Sequence, residues 1–194
     1  LYNMKTLTIF TPTFNRAYCL HQVYDSLVRQ TAQDFEWLII DDGSTDDTEQ
    51  LVHNWIKDGL IDINYIYQSN LGMHGGHNSA YSNINTPFNV CIDSDDFMPD
   101  DAVEIILNQL KNLDIKYAGM VGLDADKNSR KLIGTDIPEH LSEVKLSELY
   151  SIHGVKGDKK LVLRTDVVRK YPKYPIFKGE NFVPLGVLYL LIDQ

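Results

Sequence analysis

The sequence predicts an α/β domain with a largely parallel sheet and helices on both of its faces. Two observations carry that prediction. Short apolar, β-branched runs alternate along the chain with runs of helical periodicity, the pattern of strands joined by helical crossovers. The unusual polar clusters TPTFNR, DDGSTDD, NLGMHGGHN and DSDD each follow one of the apolar runs. Right-handed crossovers would bring those four loops to the edge formed by the strand carboxyl ends, where open α/β sheets bind ligands.

Taken in order, KTLTIFT (5–11) reads as the first strand, with Asn15 as a cap for a helix running to about Gln30. FEWLIID (35–41) is the second strand, and Ser44, Thr45 or Asp46 can cap a helix reaching Trp55 and Ile56. INYIYQ (63–68) is the third, followed by a Gly-rich turn and a helix to about Ile84. FNVCID (88–93) is the fourth, and Pro99 suits the first turn of a helix carrying Val103, Ile106, Leu107 and Leu110. AGMVGLDA (118–125) reads as a fifth strand. Residues 124–134 have some calcium-loop character but lack the Gly and Glu that such a loop requires, and read as a hairpin or loop. SEVKLSELY (142–150) reads as helix, KKLVLR (159–164) as strand, TDVVRKY (165–171) as a short helix and YPKYPIFKGE (171–180) as loop.

The 194 residues, 43% hydrophobic, suit one domain with a substantial core. The expected division within it is a first half over about 5–125 and a second over about 126–194. A net charge of -9 without a basic stripe argues against nucleic-acid binding. Cys19 and Cys91 form no metal or redox motif and read as reduced. With no signal-peptide pattern at the N-terminus, the expected compartment is the cytoplasm. FVPLGVLYLLI (182–192) is too short to cross a bilayer and reads as a core or docking helix.

The densest charge lies in CIDSDDFMPDD (91–101), five aspartates in eleven residues. Such a cluster is costly unless water or a cation offsets it. One reading is a solvated loop leading into an acidic helix start, and Asp100 and Asp101 fit that reading. The other is a metal site: Asp93 and Asp95, one residue apart at a strand end, can turn toward one pocket, and Mg²⁺ or Mn²⁺ favours carboxylates together with substrate phosphates. Helix capping explains most of DDGSTDD but not the adjacent Asp41 and Asp42, which could instead accept a hydrogen bond from a nucleobase or ribose. In NLGMHGGHN the glycines permit close backbone approach to a ligand or simply a tight turn. The stretch is neither a dinucleotide fingerprint nor a Walker loop. His74 and His77 lack a third zinc ligand.

In combination and in order, TPTFNR, FEWLIIDDGSTDDT, NLGMHGGHN and NVCIDSDDFMPDDAV resemble the family 2 glycosyltransferases of GT-A fold over residues 5 to 110. The resemblance implies a Rossmann-like, nucleotide-sugar-binding α/β fold. It also implies inverting transfer of a hexosyl or N-acetylhexosaminyl group from a nucleoside-diphosphate sugar, UDP by default, to an acceptor hydroxyl. Carried onto this sequence, Thr11, Pro12 and Phe14 line the nucleotide pocket, Asp42 binds the base beside Asp41, and His74 and Asn78 lie near the donor. Asp93 faces the ribose or sugar, and Asp95 holds the Mn²⁺ or Mg²⁺ that bridges the diphosphate. The implied acceptor is a glycan or a lipid-linked glycan of a cell-surface polysaccharide, which brings peripheral association with the inner face of a membrane into view. No basic amphipathic helix in the sequence supports that association.

The chain departs from the family late. Where a Glu-Asp pair commonly supplies the base, Glu180 is followed by Asn181, and Leu185 and Gly186 stand where an acidic residue would also serve. Glu180 is the first candidate base and Asp158 the second. The departure motivates an alternative, a nucleotide-sugar-binding module with weak or lost catalysis. A metal-dependent phosphohydrolase is a third class, for which no nucleophile motif is present. Family members commonly continue past the position of Gln194, so the expectation is a chain truncated within its acceptor region.

Overall fold

The computed structural model describes residues 4–180 and 182–194; Asn181, where the family's Glu-Asp pattern is broken, lies outside them. Four strands, β1 (Leu7–Thr13), β2 (Phe35–Asp41), β3 (Ile63–Tyr67) and β4 (Phe88–Cys91), alternate with α1 (His21–Val28), α2 (Thr48–Asp58) and α3 (Gly72–Asn83). They are followed by α4 (Ala102–Leu110), β5 (Gly119–Leu123), α5 (Leu146–Ser151), β6 (Lys159–Arg164), α6 (Thr165–Val168) and α7 (Gly186–Ile192). The sheet order is β3-β2-β1-β4-β6-β5. The first four strands are parallel, β6 runs antiparallel to β4, and β5 runs antiparallel to β6. The expected fifth strand therefore forms but does not neighbour the fourth. A strand from the second half of the chain lies between them.

Strand alternation gives the sheet two apolar faces. Leu7, Ile9, Phe35, Trp37 and Ile39 pack with Leu20, Val23 and Leu27 of α1 and its approach, Val52 and Trp55 of α2, and Val103 of α4. The Tyr24 and Trp55 rings stack at 4.4 Å in this layer. On the other face Phe10, Leu38 and Ile40 pack with Ala80 and Ile84 at the α3 end. Both faces are thus covered, the arrangement a parallel sheet requires. None of the helices among the described residues is long and apolar enough to cross a membrane.

Three local expectations are corrected. Asn15 does not cap α1, which begins at His21. Its φ of 53° lies in the left-handed region, which Asn tolerates better than most residues. There its side-chain oxygen accepts the N–H groups of Thr45, at 2.7 Å, and Asp46, at 3.3 Å. Asn15 therefore ties the loop after β1 to the loop after β2. The Gly-rich stretch is also not a turn before a helix, since helix α3 itself begins at Gly72. Asp42 accepts the N–H groups of Leu71 and Gly72, at 2.9 and 2.8 Å, satisfying donors that a helix start would otherwise leave open. At Gly76 a Cβ would lie 3.0 Å from the Pro12 side chain, so the small residue lets the helix settle onto β1. At α2 the N-cap position is Asp47, not Ser44, Thr45 or Asp46, and its side chain makes no cap bond; Asp46, one residue earlier, accepts the N–H and hydroxyl of Thr48, at 3.1 and 2.6 Å.

Candidate functional site

The carboxyl ends of β1 to β4 share one edge, and two groups of polar residues gather there. The first sits at the ends of β1 and β2 under the start of α3, and its side chains are largely committed to the frame. Thr11 is fully buried and its hydroxyl accepts the Trp37 indole N–H at 3.0 Å. Pro12 packs against Gly76. Asp41, fully buried, accepts the Ser44 N–H at 2.7 Å and the Tyr65 hydroxyl at 2.6 Å. Asp42 accepts the Gln68 amide at 2.6 Å in addition to its two helix contacts. Asn78 donates to the Tyr174 carbonyl and accepts its N–H, both at 2.9 Å, which pins residues 171–180 to α3. His74 is fully buried, and neither ring nitrogen has a hydrogen-bond partner among the described residues. Phe14 is the exception, with an exposed ring at this edge.

The second group lies beyond β4. A cleft of about 1430 Å³ opens between the β4 end, the antiparallel β5–β6 pair and α7, and it holds Asp93, Asp95, Asp96, Asp124, Asp158 and Lys160. None of Thr11, Pro12, Phe14, Asp41, Asp42, His74 or Asn78 lines it. Of the two candidate bases, Asp158 lines the cleft and Glu180 does not. Glu180 is exposed in the loop before α7 and, among the described residues, accepts the Phe182 N–H at 3.3 Å. The structure thus brings the second candidate, and not the first, to the cleft, whose wall near the start of α7 carries Leu185 and Gly186.

Lys160 organises the cleft. Its ammonium lies 3.0 Å from Asp96 and 3.8 Å from Asp93. Burial acts to lower the Lys160 pKa, but Asp93 and then Asp96 and Asp124 outweigh it and raise it. Burial pushes the Asp93 carboxyl above the ordinary range; Lys160 opposes this, while Asp96, Asp95 and Asp158 reinforce it. Asp124 is raised for the same reasons, burial first. Asp95 is about as exposed as Asp93, and its ion-pair partner is not Lys160 but Arg16, which approaches only to 3.8 Å. At the inner end of the cleft His77 is buried, and burial pushes its imidazole down to about 4. One of its ring nitrogens is 3.0 Å from the Met73 carbonyl oxygen, a contact that suits a neutral ring with that nitrogen protonated.

Among the described residues, no three His, Cys, Asp or Glu side chains converge as a metal cage. A Mg²⁺- or Mn²⁺-diphosphate site does not need one, since such ions take one or two carboxylates and complete their shell with phosphate oxygens and water. Asp95, with its loosely paired and accessible carboxylate, fits that demand. Lys160, Arg16 and Asp124 were not singled out from the sequence as site residues. Each meets the aspartates only through the tertiary fold, as in the Lys160–Asp96 contact across 64 positions. The alternation of β6 could have pointed to Lys160, because Lys159 and Lys160 must face opposite sides of their strand.

Known proteins resemble the chain in both sequence and fold. The model of the family described as glycosyl transferase family 2 matches residues 8–165. A teichoic acid poly(glycerol phosphate) polymerase of Staphylococcus epidermidis is 31% identical over 112 residues, which cover 57% of this chain and 16% of the polymerase. The structure of S. aureus TarS 1–349 in complex with UDP-GlcNAc superposes with a TM-score of 0.67 at 22% identity, covering 85% of this chain and 47% of TarS 1–349. The mannosyltransferase PcManGT from Pyrobaculum calidifontis, in complex with GDP-Man and Mn²⁺, gives 0.62 at 17% identity, covering 90% of this chain and 48% of PcManGT. The chain thus spans no more than about half the length of these three proteins.

Proposed function

The chain belongs to glycosyl transferase family 2, and from that premise we propose that its cleft binds a nucleoside-diphosphate sugar and transfers the sugar to a hydroxyl of a glycan or lipid-linked glycan. The observation that carries the reading is the grouping of Asp93, Asp95 and Asp96 with Lys160 at the carboxyl edge of the sheet. TarS, solved with UDP-GlcNAc, supports UDP as the carrier, and PcManGT, solved with Mn²⁺, supports a divalent cation. The teichoic acid polymerase supports a surface polymer as the acceptor's class.

In this reading Phe14 offers an exposed face on which a nucleobase can stack, while Asp41 and Asp42 hold the loop beneath it. Asp95 would hold Mn²⁺ or Mg²⁺, which as a Lewis acid offsets charge on the departing diphosphate. Asp93 and Lys160 face the diphosphate–sugar junction. The acceptor oxygen attacks the anomeric carbon from the face opposite the diphosphate, and the C–O bond to the diphosphate breaks with its electron pair leaving on the diphosphate oxygen. The acceptor proton passes to a carboxylate on the attacking side. A single displacement of this kind inverts the anomeric centre. Asp158 is the base in this reading, the one of the two candidates from sequence that shares the cleft with Asp93.

The test is UDP release from UDP-GlcNAc and UDP-glucose with Mn²⁺, in the wild type and in Asp158→Asn and Glu180→Gln. We expect Asp158→Asn to slow release by about 10²–10⁴-fold, the span of general-base contributions, and Glu180→Gln to leave it unchanged. A loss confined to Glu180→Gln would overturn the assignment. One observation favours a second reading, a binding module with weakened catalysis: Leu185 and Gly186 stand at the start of the α7 wall of the cleft, and Asp193 at its far end is taken up by the N–H groups of Leu146 and Ser147. Tight UDP binding with no release from either donor would select that reading.

A further inference from the structure

Lys159 and Lys160 are neighbours with opposite surroundings. The Lys159 ammonium is buried among backbone carbonyls, donating to those of Lys156, at 2.9 Å, and Gly157 and Asp158, both at 3.2 Å. It is spent on the loop that precedes β6. Strand alternation sends Lys160 the other way, into the cleft. There its side chain is 26% exposed, less than Asp93 at 55% or Asp96 at 48%. An ammonium more enclosed than the carboxylates it pairs with is unlike the usual mobile surface ion pair.

We propose that Lys160 is a positioning residue that makes cation uptake at this site conditional on the donor. The inference rests on the function proposed above. In the free protein the ammonium offsets part of the charge of Asp93 and Asp96, so a divalent cation arriving alone meets like charge a few ångströms from the carboxylates that would draw it in. A nucleoside diphosphate brings its own negative charge, and the ammonium and the cation can then share it. The two ligands bind with positive coupling, and removal of the ammonium weakens that coupling from both sides: bare cation binds better, and nucleoside diphosphate binds worse.

The experiment is titration of Mn²⁺, followed by the EPR signal of the free ion, in the wild type, Lys160→Met and Lys160→Arg, each with and without saturating UDP. The expected result is at least a tenfold gain in affinity for Mn²⁺ alone in Lys160→Met, a smaller enhancement by UDP in that variant, and wild-type behaviour in Lys160→Arg. Lys160→Gln, which can still hydrogen-bond Asp93 and Asp96 but carries no charge, takes the place of the methionine variant if that variant does not fold. An unchanged or weaker affinity for Mn²⁺ alone in the uncharged variant overturns the proposal while leaving the donor site standing. A wild type that takes up no Mn²⁺ even with UDP overturns both.

Discussion

At the residue scale, burial and hydrogen bonding separate side chains that hold the frame from side chains free to meet a ligand. Asp42 belongs with the frame, accepting Gln68, Leu71 and Gly72. Asp42→Ala should lower stability by about 2–3 kcal/mol, the scale of a charged hydrogen-bond acceptor lost from buried donors, measured by urea denaturation. His77 supplies a pH-dependent contribution. Its folded pKa is depressed from 6.5 to about 4, so the unfolded state takes up the proton first. The contribution is present above pH 6.5 and is lost as pH falls toward 4, reaching about 3 kcal/mol across that window. His77→Gln should flatten the wild-type stability profile between those pH values, and an unchanged slope would contradict the assignment. The residues legible in the sequence were those with a local signal: Asp93 and Asp95 announce themselves by spacing after a strand. Lys160 has no such signal, because its meaning comes from a partner across the sheet.

At the element scale, the strands and most helices were legible because their apolar periodicity is strong, whereas α3 was misjudged at its start. Glycine weakens an isolated helix by about 1 kcal/mol per residue relative to alanine, so three glycines in NLGMHGGHN read as a turn. Contacts from elsewhere in the chain outweigh that penalty: Asp42 satisfies the first donors, and close packing on Pro12 uses the absent side chain at Gly76. The antiparallel β5–β6 pair, whose β6 carries Lys160, offers a contrast between two glycines of β5. A Cβ at Gly119 would lie 2.0 Å from the Val162 carbonyl oxygen, while one at Gly122 would meet nothing closer than 3.7 Å. Gly119→Ala should therefore destabilise by about 1–3 kcal/mol or more. Gly122→Ala should be neutral or stabilising by up to about 1 kcal/mol, because it relieves the entropy cost of glycine in a strand. Thermal denaturation of the two variants side by side checks the geometry of the β5–β6 pairing.

At the scale of the whole molecule, a parallel sheet and its crossovers bring loops from distant parts of the sequence to one edge. That much followed from the alternation of strands and helices. The insertion of β6 between β4 and β5 did not, because strand order depends on tertiary pairing that local pattern does not encode. That insertion places Asp158 and Lys160 beside the aspartates after β4, and so turns an acidic loop into a cleft with a cation in its wall. Glu180, the first candidate base from sequence, does not line that cleft. The central claim is that the cleft binds a nucleoside diphosphate through a divalent cation held by Asp95. Calorimetric titration of UDP into the wild type and Asp95→Asn, each with and without Mn²⁺, tests it most directly. The account predicts binding by the wild type that Mn²⁺ strengthens at least tenfold, and loss of that enhancement in Asp95→Asn with an unchanged melting temperature. Equal UDP affinity with and without Mn²⁺ in the wild type, or an enhancement that survives in Asp95→Asn, would contradict it.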